Sequence, residues 1–230
     1  MINIRTLTIT ALGLVLSTHA LQAQDRSRYR DFLLGGDLQS VEVLTKMAPS
    51  SVKTIHQRPA VIQELEWRPA YFVGGLAASH DDPVRQIVFS FYDDQLSRMI
   101  VDYDRDRTAG LTEADMIAAI STAYGPPLPT TKRTQTVVTQ IDDESGPPVA
   151  RWGDADYAVV LYRSSYPSGF KMIVTSPRLE ALSRLAAAQA IRLDQREAPQ
   201  RELARQKKEV EDARIADEKA RATNKAAFRP

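Results

Sequence analysis

From Val84 to Asp104 apolar and polar positions alternate, Val84-Arg-Gln-Ile-Val-Phe-Ser-Phe-Tyr92 before Asp93-Asp94 and Gln95-Leu-Ser-Arg-Met-Ile-Val-Asp-Tyr-Asp104 after it, which predicts a two-stranded antiparallel ribbon. With Asp93-Asp94 as a two-residue turn, Phe91 would face Leu96, Ile87 would face Ile100 and Arg85 would face Asp102, leaving Val88, Met99 and Val101 on the opposite side. The period then changes from strand to helix. Thr112 can cap a helix whose third position is Asp115, and Leu111 can staple to Met116. Met116, Ile120 and Tyr124, flanked by Ile117 and Ala123, recur at helical spacing and would lie on the sheet until Gly125-Pro126-Pro127 stops the helix.

Before this unit, Tyr29-Arg-Asp-Phe-Leu-Leu34 reads as a short extended run ending at Gly35-Gly36. Asp37 then caps a first helix with Leu38, Val41 and Leu44 as its apolar stripe and Pro49 beyond its end. Residues 52–56 and 61–67 read as strands, and the Gly/Ala/Ser/Asp stretch 74–82 joins them to the ribbon. After the second helix, residues 126–148 hold five prolines and one strand-like run, Thr134 to Ile141. Strands follow at 149–152, 157–162 and 170–175, the last two joined by the turn Ser165-Tyr-Pro-Ser-Gly169.

The halves can be set side by side. Asp37 aligns with Thr112, Glu64-Leu-Glu-Trp67 with Val149-Ala-Arg-Trp152, and Arg98-Met-Ile-Val101 with Lys171-Met-Ile-Val174, at offsets of 75, 85 and 73 residues. Two amphipathic hairpins can also look alike by chance. The expectation is an α+β body over residues 24–176, a mainly antiparallel sheet covered by two helices, with helix-plus-hairpin units at about 29–104 and 105–176.

From Ser176-Pro177 the chain turns helical, with Leu179, Leu182, Leu185 and Ala186 expected on the body through residue 198. Pro199 is expected to break or kink that helix, leaving 199–230 as a charged helical tail. Residues 200–230 carry nine basic and six acidic side chains, and the pairs Lys207/Glu211, Lys208/Asp212 and Arg214/Glu218 stand four apart. Leu203 and Val210 lie one heptad apart, but Asp217 takes the next such position. The tail reads as a solvated helix, with contact to an envelope protein or to a second copy as the alternative.

Charge and composition add an address. Arg5, the apolar run Leu12 to Leu16 and small residues at Ala20 and Ala23 make residues 1–23 resemble a secretory signal peptide, so the expected location is periplasmic or secreted. Without that segment the chain carries 29 basic and 29 acidic side chains, which argues against a nucleic-acid partner. No later stretch approaches the ~20 consecutive apolar residues of a membrane span. The chain has no cysteine, which removes thiolate catalysis, thiolate metal sites and lipidation.

One run resembles a calcium loop: Asp102, Asp104 and Asp106 occupy positions 1, 3 and 5, and Glu113 occupies position 12. Position 6 is Arg107 where such a loop needs glycine, and position 8 is Ala109; Asp102 could instead face Arg85, and Glu113 could simply open a helix. Ser50-Ser-Val-Lys53 has Ser-x-x-Lys spacing but follows a helix, and His56 and His80 stand far apart without metal-ligand spacing. Trp67 and Trp152, ending strands, read as core or as partner anchors. No catalytic residue, cofactor or metal site is therefore assigned.

The Gly35-Gly36-Asp37-Leu38-x-x-Val41 helix start followed by antiparallel strands is similar to small envelope domains of the BamE/SmpA type, and two such units in tandem resemble the β-lactamase-inhibitor-protein fold. Val88-Phe-Ser-Phe-Tyr92, Gly110-Leu-Thr-Glu113 and Asn224-Lys-Ala-Ala-Phe-Arg-Pro230 resemble exported bacterial proteins of unassigned function. Lipid anchoring of the BamE type does not carry over without the required cysteine. The expected function is that of an exported, soluble, non-enzymatic envelope binding or accessory protein; the alternatives are a calcium-stabilised structural module over Asp102–Glu113 or an unrecognised hydrolase.

Overall fold

The computed structural model describes residues 26–69, 82–129, 148–165, 168–227 and 229. In chain order these form a small hairpin, β1 (Arg28–Tyr29) and β2 (Phe32–Leu33), helix α1 (Leu38–Thr45), strands β3 (Lys53–His56), β4 (Ile62–Trp67), β5 (Val84–Tyr92) and β6 (Gln95–Tyr103), and helix α2 (Glu113–Tyr124). Strands β7 (Pro148–Gly153), β8 (Ala158–Ser165) and β9 (Ser168–Thr175) and helix α3 (Pro177–Ala227) follow. The seven long strands make one sheet in the order β3-β4-β5-β6-β9-β8-β7, antiparallel at every step. The class is α+β. The strand-like run at Thr134–Ile141 and the connector's residues 74–81 lie outside the described residues.

Counted outward from the middle of the sheet, β6-β5-β4 on one side is matched by β9-β8-β7 on the other. The offset of 73 that aligns Arg98–Val101 with Lys171–Val174 carries Ile100 onto Ile173, and these two isoleucines face each other across the β6–β9 ladder. A local two-fold axis through that pair thus coincides with the sequence correspondence. β3, at one edge, stands outside the pattern.

The ribbon's turn forms at Asp93-Asp94, with both residues in the left-handed region (φ 44° and 65°), as a two-residue hairpin turn demands. Aspartate tolerates that region less readily than glycine, and here both carboxylates are tied down. Asp93 accepts the Val61 amide at 2.8 Å and Asp94 accepts the Leu38 amide at 3.1 Å, beside Asp37, which caps Ser40 at 2.6 Å. Phe91 faces Leu96 as expected, but Ser97 is an extra residue in β6, so Ile87 faces Val101 and Val88 faces Ile100. The expected face assignment is therefore corrected. Met99 and Val101 point with Ile87, Phe89 and Phe91 into the main core, while Ile100 and Val88 face the other way.

The main core lies between that inner face and a cover built from α1, α2 and the β1–β2 hairpin. Leu65, Met172, Val174, Val159, Leu161 and Trp152 meet Phe32, Val41, Met116, Ile120 and Tyr124 there. The α1 stripe is Leu38, Val41 and Thr45 rather than one ending at Leu44, because four-residue spacing turns Thr45 inward, where its hydroxyl donates to the Val41 carbonyl at 2.7 Å. Tyr29–Leu34 is likewise not one extended run. It folds back at Arg30 (φ 53°), pairing Tyr29 with Phe32.

α3 covers part of the outer face. Its start is fixed by the bulge: the Ser176 amide donates to the Ser97 carbonyl at 2.9 Å, and Pro177 takes the first turn. The buried stripe is Leu179, Ala186 and Ala190, which falls on one face, whereas Leu182 and Leu185 point to solvent, contrary to expectation. Pro199 does not interrupt the helix. Its ring removes one backbone donor, but Arg201 bridges Asp194 (3.1 Å) and Glu197 (2.7 Å) across the gap, and Arg58 grips Glu197 at 2.8 Å. Beyond that clamp every described residue except Glu202 is exposed, and Arg214 pairs with Glu211 and Glu218.

Under the first turns of α3, Glu180 is buried and ion-paired to Arg98 of β6 at 3.5 Å and to Arg184 at 3.1 Å. Removing the carboxylate would leave Arg98 unpaired beneath the helix. Glu180→Ala is expected to destabilise the fold by about 2 kcal/mol, a melting shift of roughly 5 °C for a chain of this size, and Arg98→Met placed with Glu180→Leu is expected to recover most of it. An unchanged melt for Glu180→Ala would show that α3 does not rest on this pair.

Candidate functional site

A pocket of about 720 Å³ opens between the β1–β2 hairpin, the loop after β6 and helix α2, a size within the roughly 300–1,000 Å³ span of small-ligand sites. Its wall is α2, where Met116, Ile120 and Tyr124 recur on one face because the helix is started by a reciprocal cap: Thr112 accepts from Asp115 while Asp115 accepts the Thr112 amide at 2.8 Å. Its floor includes Met172 of β9 and Tyr103 at the end of β6, whose hydroxyl lies 3.8 Å from the Met172 sulfur. Leu111 and Pro83 complete the apolar lining.

The hairpin forms the mouth. Phe32 anchors it, packed on Phe89 (4.6 Å between centroids) and edge-on to Trp67 (5.6 Å), so the turn beside it is held rigidly over the sheet. Arg30 forks onto Asp82 with bonds of 2.7 and 2.9 Å and lies over the Tyr29 ring, while Tyr124 donates its hydroxyl to the Arg28 carbonyl at 2.8 Å. On the opposite rim the Asp104 carboxylate folds back to accept the amides of Asp106 (2.9 Å) and Arg107 (3.1 Å), a local turn that brings Arg107 and Thr108 to the pocket. Arg26 runs along Gly125, whose φ of +79° and missing side chain leave room for the guanidinium; a β-carbon there would sit 3.2 Å from it.

Among the described residues the lining therefore holds four arginines, Arg26, Arg28, Arg30 and Arg107, and no aspartate or glutamate. The Asp82 hydrogen bond pushes Arg30 above its ordinary basicity, and Arg30 in turn holds the Asp82 carboxyl below the usual range. Burial pushes the phenols of Tyr29, Tyr103 and Tyr124 upward, Tyr103 most firmly. At neutral pH the three are uncharged and act as apolar wall with a hydroxyl handle.

The four carboxylates of the calcium-like run are not brought together. Asp102 stays in β6, opposite Gln86 rather than Arg85 because Arg85 sits at a register shift, and is ion-paired to Arg85 at 3.5 Å and Lys171 at 3.8 Å; Asp104 is occupied by backbone amides; Glu113 meets Arg163 at 3.5 Å on the helix start. Among the described residues no cluster of His, Cys, Asp and Glu is arranged to hold a metal ion. His56 sits on β3, and His80 lies outside the described residues. Ser50 ends up exposed in a 3₁₀ turn and Lys53 exposed on β3. Trp152 is buried with its indole donating to Ser121 at 3.2 Å, and Trp67, partly buried, packs against the core on Phe32.

Sequence reading passed over the arginines. The signal was present as Arg26-Ser-Arg28-Tyr-Arg30, three cations at every second residue beside a signal-like segment. Asp82, which pairs with Arg30, is 52 residues away from it, so the pattern had no local counterpart to give it meaning. Comparison with protein families, with curated proteins and with solved structures finds no match to this chain. Among the described residues no helix is long and apolar enough to cross a membrane.

Phenols raised by burial stabilise the fold fully below the unfolded value of about 10 and lose that contribution as pH climbs through the folded values. In an alkaline titration followed by tyrosinate absorbance and circular dichroism together, part of the phenol signal is expected to appear only as the fold melts, and Tyr103→Phe is expected to remove some of that late part. Complete phenol ionisation near pH 10 with the fold intact would contradict the packing around the pocket.

Proposed function

We propose that this protein is a non-enzymatic binding protein of the cell envelope and that its ligand occupies the pocket between α2 and the β1–β2 hairpin. The observation that carries the reading is the pocket itself: a preformed apolar cavity between a hairpin, a loop and a helix, lined by side chains that grip rather than react. Among the described residues the lining offers arginines, neutral phenols, one threonine and aliphatic surface, with no hydroxyl or amine beside a general base. The envelope address rests on the signal-like first 23 residues, and the accessory role on the likeness of the Gly35–Val41 helix start to BamE-type domains. A partner protein or a second copy would have the solvated length of α3 beyond Pro199 to touch, where Leu203, Val210 and Ile215 are exposed.

A neutral dye such as Nile red, which brightens in apolar surroundings, tests the pocket directly. Saturable binding with one site per chain is expected. Ala123 lines the pocket from α2 and is otherwise exposed, so Ala123→Trp is expected to weaken dye binding at least tenfold while shifting the melting temperature little. Equal dye binding by the variant would move the site elsewhere.

A further inference from the structure

We infer that the pocket takes a single-chain amphiphile whose head is an oxyanion, with the aliphatic chain lying along α2 and the head held at the mouth by Arg26 and Arg28. The inference rests on the binding reading above and adds the charge and shape of the ligand. An apolar cavity alone would accept any hydrophobic molecule; among the described residues every charged side chain in this lining is an arginine. Asp82 is already committed to Arg30 and to the Val84 amide at 2.9 Å, so it fixes one arginine in place instead of neutralising the mouth. Asp104 is turned onto the amides of its own loop. Among the described residues no carboxylate pairs with Arg26 or Arg28.

The geometry separates the two ends of the ligand. Arg26, Arg28 and Arg30 come from the hairpin side and Arg107 from the loop opposite, so the cations ring the opening. Met116, Ile120, Tyr124 and Met172 form the interior. Two methionines suit a flexible chain, because the unbranched thioether adapts to irregular apolar surface. Guanidinium is the group that meets a carboxylate or phosphate with paired parallel hydrogen bonds, and in a partly desolvated mouth such bonds are about twice as strong as neutral ones. A cationic amphiphile would meet the same ring as repulsion.

The carboxylate of a free fatty acid and the phosphate of a lysolipid share this chemistry, and the test separates them. Nile red bound to the purified protein is displaced with four dodecyl compounds below their micellar concentrations: laurate, dodecyl phosphate, dodecanol and dodecyltrimethylammonium. Laurate or dodecyl phosphate is expected to displace the dye at a concentration at least tenfold lower than dodecanol, the cation is expected to be weakest, and whichever anion is stronger identifies the head group. The anionic advantage is expected to shrink as salt rises. Arg26→Gln with Arg28→Gln, both on exposed side chains, is expected to remove most of that advantage while changing dodecanol by less than twofold. Equal displacement by laurate, dodecyl phosphate and dodecanol, or preference for the cation, would overturn the inference and leave the pocket reading standing. Failure of all four to displace a dye that Ala123→Trp also fails to affect would overturn both.

Discussion

Strand β6 carries the fold, and the feature on which the others depend is the single extra residue at Ser97. A strand buried on both faces has its side chains assigned by register alone, and one inserted residue reverses every assignment after it. The insertion sends Leu96, Met99 and Val101 into one core and leaves Arg98, Ile100 and Asp102 for the other side. The kink also frees the Ser97 carbonyl, which receives the Ser176 amide and so starts α3, while the Ser97 hydroxyl donates to the Ser90 carbonyl at 2.9 Å. Sheet register, helix start and the pairing of Arg98 with the buried Glu180 therefore share one origin.

The pocket follows from an imbalance in the cover. Helices α1 and α2 lie on the inner face, and among the described residues the strand ends near Tyr103 are roofed, beside α2, by the small hairpin, which has two residues in each arm. So short a hairpin cannot hold itself by its own ladder. It is held by Phe32 on the core, by the Arg30–Asp82 fork and by the Tyr124 hydroxyl on the Arg28 carbonyl, and these anchors keep it at a distance from α2 instead of collapsed on it. The space left between them is the cavity, and arginines that anchor or flank the hairpin give it its charge.

What the sequence made legible was whatever depends on neighbours in the chain. The caps at Asp37 and Thr112, the turn at Asp93-Asp94, the stop at Gly125 and the β-rich body all follow from local chemistry, and the 73-residue correspondence of the central strands meets at the Ile100–Ile173 pair. What it hid depends on distant partners. No pattern in Gln95–Tyr103 announces that Ser97 is one residue too many, because the strand reads as well without the insertion. The inward turn of Thr45, the outward turn of Leu185 and the passage of α3 through Pro199 are decided by what packs or pairs across the interface. The calcium-like run shows the converse, since its spacing alone suggests a loop whose carboxylates the strand and the helix hold apart.

The claim that the apolar space beside α2 is a ligand site is tested most directly by methyl NMR of the purified protein during titration with laurate. The account predicts saturable shifts at the methyl groups of Met116, Ile120 and Met172, with Ile173 and Val160 on the opposite face of the sheet unmoved. Shifts confined to the outer face or to α3, or no shift at Met116 and Met172 when laurate is in excess, would contradict it.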